Sequence, residues 1–139
     1  MPEYVRVTGL KELDRKLSRL PDKIQRDIMG KALEEGAEII RAQAEANAPR
    51  DPSRTYGEHL ADNIVLGEPE RRGDETRILV GIDYTKVDHG HLVEFGHGGP
   101  HKAPKHPFMR PAFDSKSRAA LGKIQTMLKA LIEAAARRP

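Results

Sequence analysis

Five of the six histidines, His89, His91, His97, His101 and His106, fall in one segment, with Glu94 among them. Imidazoles and carboxylates are the groups that hold a divalent metal or pass protons near neutral pH. A metal-dependent enzyme using the His89–His106 segment is therefore the first chemistry to weigh. The spacing argues against it. His89 and His91 point to opposite faces of an extended chain, and no HExxH pattern sets two imidazoles on one helical face. His97, His101 and His106 lie among Gly98, Gly99, Pro100, Pro104 and Pro107, a composition without a rigid scaffold. Cysteine is absent, which excludes thiolate chemistry, and Ser18, Ser53, Ser115 and Ser117 stand in no nucleophile turn. Gly96, Gly98 and Gly99 are not followed by a phosphate-loop lysine. We expect no catalysis, no bound metal and no cofactor. Histidines gathered at an interface would instead make it responsive to pH.

The second chemistry to weigh is electrostatic. The net charge is only +3, from 24 basic and 21 acidic residues, but it is unevenly spread. From Asp114 onward the acids are Asp114 and Glu133, against Lys116, Arg118, Lys123, Lys129, Arg137 and Arg138, whereas the acidic excess lies in residues 51–80. A DNA-binding module using the basic C-terminal helix is one reading. Its charges are distributed around the helix, however, and no aromatics interleave with them as in a single-strand binder. The asymmetry also suits head-to-tail contacts between copies of the chain. Metal content tests the enzyme reading, and the salt dependence of DNA affinity tests the nucleic-acid reading.

The elements that would position these groups follow from periodicity. Residues 1–139 read as one domain with extended loops near 49–60 and 97–110. No apolar run approaches membrane-spanning length, and no basic-then-apolar leader is present, so no membrane is expected. Tyr4 to Thr8 is β-prone. Leu10, Leu13, Leu17 and Leu20 share one helical face, and Pro21 opens a second helix whose apolar positions, Ile24 to Ala44, carry it to about Ala48. Gly30 and Gly36 inside that helix predict close approach to another backbone, in the sheet or in a neighbouring copy. Leu60–Gly67 and Thr76–Asp83 alternate as two strands joined by a polar tip. Pro111 is placed to begin a long final helix with Phe113, Ala120, Leu121, Ile124, Leu128, Leu131, Ile132 and Ala135 on its apolar side. The order β-α-α-β-β-α predicts an α+β fold: a small antiparallel sheet packed with a long N-terminal helical region and a long C-terminal helix.

Two stretches concentrate the anchoring residues. His91-Leu92-Val93-Glu94-Phe95-Gly96 and Pro107-Phe108-Met109-Arg110-Pro111-Ala112-Phe113 hold all three phenylalanines of a chain without tryptophan. Phe95 and Phe113 are expected to be largely buried. The ordered pair HLVEFG and HPFMRPAFD resembles the neck or tail-completion proteins of long-tailed bacteriophages, relatives of the lambda minor tail protein Z. Val7-Thr8-Gly9-Leu10-Lys11-Glu12-Leu13 is similar to that family's opening, and Ala32-Leu33-Glu34-Glu35-Gly36-Ala37 to its long helix. The resemblance implies a structural virion protein of the head-tail neck, assembled in the host cytoplasm. It implies a homo-oligomeric ring, expected to be a hexamer, between a head-completion or stopper protein and the tail terminator or tail tube. Genome DNA would pass through without sequence-specific contact.

Overall fold

A computed structural model describes residues 3–4, 11–48, 60–73, 75–83 and 107–137. Within them the expected α+β fold is present, organised on two long antiparallel helices with a small sheet against the first. The elements are β1 (Glu3–Tyr4), α1 (Lys11–Ser18), α2 (Asp22–Asn47), a 3-10 turn (Leu60–Asn63), β2 (Ile64–Leu66), β3 (Glu70–Arg72), β4 (Glu75–Arg77), β5 (Leu79–Ile82) and α3 (Met109–Ala136).

The leucine face of α1 behaves as its spacing predicts: Leu17 is buried, and Leu13 and Leu20 pack partly against the core. The turn into α2 is closed locally. Gln25 donates from its backbone to the Pro21 carbonyl at 3.0 Å and from its side chain to the Leu20 carbonyl at 2.7 Å. Pro21 occupies the N-cap of α2, one residue before the first turn. At the other end Ala48 is extended, with ψ 133°, while its N–H still reaches the Ala44 carbonyl at 2.9 Å. That conformation follows from Pro49, whose ring disfavours helical backbone in the residue before it.

The core lies between α2 and α3. Ile28, Ala32, Leu33, Gly36, Ala37, Ile40 and Ala44 from α2 face Met109, Ala112, Ala120, Ile124, Leu128 and Ile132 from α3. Both rows advance by three and four residues, the repeat of one helical face. The small residues let the helices approach closely. A Cβ built on Gly36 would overlap Ile124 Cγ1, lie 2.7 Å from Ile124 Cδ1 and lie 2.9 Å from the Ala120 carbonyl oxygen. The close neighbour of this glycine is therefore α3, rather than the sheet or another copy. Gly30 meets the sheet side, with its Cβ position at ordinary contact, 3.5 Å, from Pro69.

α3 starts at Met109 with Phe108 as N-cap, two residues before the expected first residue Pro111. Pro111 is accommodated because first-turn N–H groups have no intrahelical acceptor, so its missing donor leaves nothing unpaired. Met109 and Arg110, assigned from sequence to the loop, are helical. Asn47 Nδ2 donates to the Phe108 carbonyl at 3.3 Å and ties the end of α2 to the start of α3.

The sheet order is β1-β5-β2, all antiparallel, with Ile64 opposite Ile82, Leu66 opposite Val80 and Glu3 opposite Val80 from the other side. Ile64, Ile78 and Val80 are buried, while Val65 and Leu79 face outward. Two expectations are corrected. Residues Leu60–Asn63 are a 3-10 turn instead of strand. Leu60 and Ala61 are both buried, and consecutive residues of a strand point to opposite faces, so the chain coils to bury both. The polar tip is a second sheet, with Glu70 opposite Arg77, Arg71 opposite Thr76 and Arg72 opposite Glu75. Opposite charges face each other across two of these pairs, and Gly73 takes φ +62° at the turn, a conformation glycine adopts without steric cost.

Candidate assembly surfaces

The residues singled out from sequence separate into groups. His91, Leu92, Val93, Glu94, Phe95 and Gly96 lie outside the described residues, as do all six histidines and the 50–59 arm. Among the described residues no group of His, Cys, Asp and Glu is arranged to hold a metal. Of the second stretch, Phe108 is completely buried and Met109 nearly so, whereas Pro107, Arg110 and Pro111 are exposed. Phe113, expected to be largely buried, is half-buried at the edge of the core. The early start of α3 explains the difference. Phe108, Met109 and Ala112 all face inward at the helix entry, and one further step of about 100° carries Phe113 toward the flank.

Two ionic clusters attach the sheets to α2. Arg41 donates from Nε and a terminal nitrogen to the two Glu38 oxygens, both at 2.7 Å. Its other terminal nitrogen reaches Glu45 at 3.0 Å and the Ile64 carbonyl at 3.3 Å. The Arg41 hydrogen bonds hold the Glu38 carboxyl below its ordinary pKa, against a smaller opposing effect of burial. The same bond to Glu38, with Glu45 adding to it, pushes the Arg41 guanidinium further up. The Ile64 contact has a structural meaning. Gly67 donates to the Leu79 carbonyl of β5 and the Asn63 carbonyl accepts from Asp83 just past it, so alternation along an antiparallel strand aims the Ile64 carbonyl away from β5. Arg41 thus covers a carbonyl on the edge of β2 that has no strand partner among the described residues.

The second cluster joins the ribbon to the start of α2. Asp22 accepts from Arg71 at 2.9 Å and pairs with Arg26 at 3.0 Å. The Glu38-Arg41-Glu45 spacing was readable as helix pairs. The links from Arg41 to Ile64 and from Asp22 to Arg71 join distant segments, and no local pattern announces them.

Among the described residues, large apolar side chains are exposed in three places, one of them Leu121 on α3. Val65 and Leu79 on the outer face of the three-stranded sheet are 42% and 38% accessible. Gly67 and Gly81 beside them leave that face smooth. The second place is a groove of about 430 Å³ between the start of α2 and the end of α3, lined by the apolar Leu20, Pro21, Ile24, Ile28, Leu131 and Ala135 and by the charged Asp27 and Lys31. Ile24 within it is 37% accessible. The sheet face and the groove are open to solvent, and the groove combines apolar side chains with the charged Asp27 and Lys31. No described helix is long and apolar enough to cross a membrane.

No curated protein and no solved structure matches the chain. Residues 11–96 match the family described as "Bacteriophage HK97-gp10, putative tail-component". The match takes in α1, α2 and strands β2 to β5 and covers well over half of the sequence; the chain belongs to this HK97-gp10-like family of phage tail components.

Proposed function

We propose that the chain is a structural subunit of the phage neck in the tail-completion role of lambda minor tail protein Z and its relatives. Copies form a closed ring that joins the head-completion or stopper protein to the tail terminator or tail tube, with the genome passing through its centre. Its work is done by contact rather than by catalysis, as a single domain within the virion. The observation that carries this reading is the family match over residues 11–96. The two separate apolar surfaces support it, because a ring is built from heterologous contacts in which one face meets a different one.

The experiment is an image reconstruction of the neck together with deletion of residues 98–105. The expected result is a sixfold ring of this chain in intact particles, and a deleted chain that folds but leaves heads and tails unjoined. Isolated single copies in the neck, or infectious particles carrying the deletion, would refute the proposal.

A further inference from the structure

We infer that Arg41, held between Glu38 and Glu45, closes the edge of β2 against the β2 strand of a second copy. The inference is independent of the ring reading. β2 is an outer strand of the three-stranded sheet, and no described strand lies beyond it. Its ladder to β5 runs through Val65 opposite Gly81 and through the flanking Asn63 and Gly67. Ile64 and Leu66 sit in the intervening pairs, so their N–H and C=O groups turn outward. A row of outward backbone groups is a template for another strand.

This edge is complementary to itself. With Ile64 of one copy opposite Leu66 of another in antiparallel register, the two residues exchange both of their outward hydrogen bonds. Val65 then faces Val65 of the second copy, in the kind of pair whose Cα atoms lie about 4.5 Å apart. Its side chain, 42% accessible in the single subunit, gains a cover there. The arrangement has a two-fold axis, so it stops at two copies and offers nothing to a third. Strand pairing of this kind would divert the chain from any larger assembly.

Arg41 stands in the way. One terminal nitrogen lies 3.3 Å from the Ile64 carbonyl oxygen, the acceptor that the Leu66 N–H of the second copy would need. The guanidinium is fixed there from two sides. Nε and the other terminal nitrogen bond both Glu38 oxygens at 2.7 Å, and the first nitrogen also bonds Glu45 at 3.0 Å. These carboxylates lie one turn before and one turn after Arg41 on α2, so the fork is already oriented when it covers the strand. An approaching strand must break the whole cluster to reach the carbonyl. Charged side chains are among the devices that keep sheet edges from pairing.

The absence of cysteine makes the test direct. Val65→Cys places one thiol at the two-fold contact, and Leu121→Cys, on the exposed side of α3, is the remote control. Each full-length variant is purified with and without Arg41→Met and oxidised with copper phenanthroline, and the disulfide dimer is timed under denaturing conditions. Arg41→Met is expected to speed linking through Val65→Cys at least tenfold and to leave linking through Leu121→Cys unchanged. Light scattering of Arg41→Met without either cysteine should show a concentration-dependent dimer absent from the parent. Adding Val65→Lys should disperse that dimer by setting like charges opposite each other. Equal rates at position 65 with and without Arg41→Met overturn the inference. Equal acceleration at both positions also overturns it, because that marks a general loosening of the subunit. Arg41→Lys keeps the charge without the planar fork and decides the point if Arg41→Met does not fold. It should give an intermediate rate at position 65, and the parent rate there would overturn the inference.

Discussion

Ile124 packs into the surface of α2 at Gly36, where there is no room for a side chain. A methyl group there would lie within 2.7 Å of Ile124 Cδ1 and 2.9 Å of the Ala120 carbonyl oxygen. Helix propensity alone favours alanine over glycine by about 1 kcal/mol, so the two effects oppose each other. Contacts this close cannot be relieved by moving a flexible tip, because one partner is backbone. Gly36→Ala is therefore expected to destabilise by about 1–3 kcal/mol, the usual range for overpacking. Ile124→Ala leaves a cavity that the new methyl group partly fills, so the double variant should lose less than the sum of the singles. Urea denaturation of all four proteins checks this; a Gly36→Ala variant as stable as the parent would contradict it.

Phe108 and Phe113 should differ sharply despite their closeness in sequence. Phe108→Ala removes a completely buried ring at the entry of α3 and is expected to cost about 3–5 kcal/mol. Phe113 is half-buried, and its truncation should cost less than half as much. Thermal melts of the two variants decide it, and equal losses would contradict the assignment of Phe108 as the anchor.

The contrast shows what could be read from the sequence. Helices α1 and α2, strands within 60–67 and 76–83, and the inward alternation of Ile64, Ile78 and Val80 follow from periodicity, which is a local property; the register of the strands, and the division of 76–83 between two sheets, do not. The start of α3 was displaced by two residues because Pro111 can occupy more than one position of a first turn. The 3-10 turn at Leu60–Asn63 was hidden because consecutive buried residues look like one end of a strand until their common core is known. The partner of Gly36 was equally out of reach, since a glycine announces a close approach without naming what approaches. The exposed pair Val65 and Leu79 was present in the alternation, but their lack of a cover is a tertiary fact.

The pH dependence of the Arg41 cluster has a definite sign. Glu38 has a folded pKa below its ordinary value of 4.5. The unfolded chain therefore takes up this proton more readily, and the contribution to stability is fully present above that value. It is lost as pH falls through the lower folded value. The Glu38 side chain is 49% exposed, so solvent screening keeps its contribution to about 1 kcal/mol or less. Glu38→Gln should be slightly less stable than the parent near neutral pH and converge with it in acid. Arg41→Met should lose more at neutral pH, because it also uncovers the Ile64 carbonyl. Denaturation curves at several pH values test both; a Glu38→Gln deficit that grows in acid would contradict the sign.

The bond from Asn47 to Phe108 spans 61 positions of sequence, so the helix pair closes only after both segments have been made. While α3 is still inside the ribosome, the apolar row of α2 has no helix to cover it. The apolar groove also does not yet exist, because Leu131 and Ala135 form one of its walls. The groove is thus a product of the docked helix pair: a substitution that loosens α3 from α2 takes away one wall of it and leaves the pairing of β1, β5 and β2 in place.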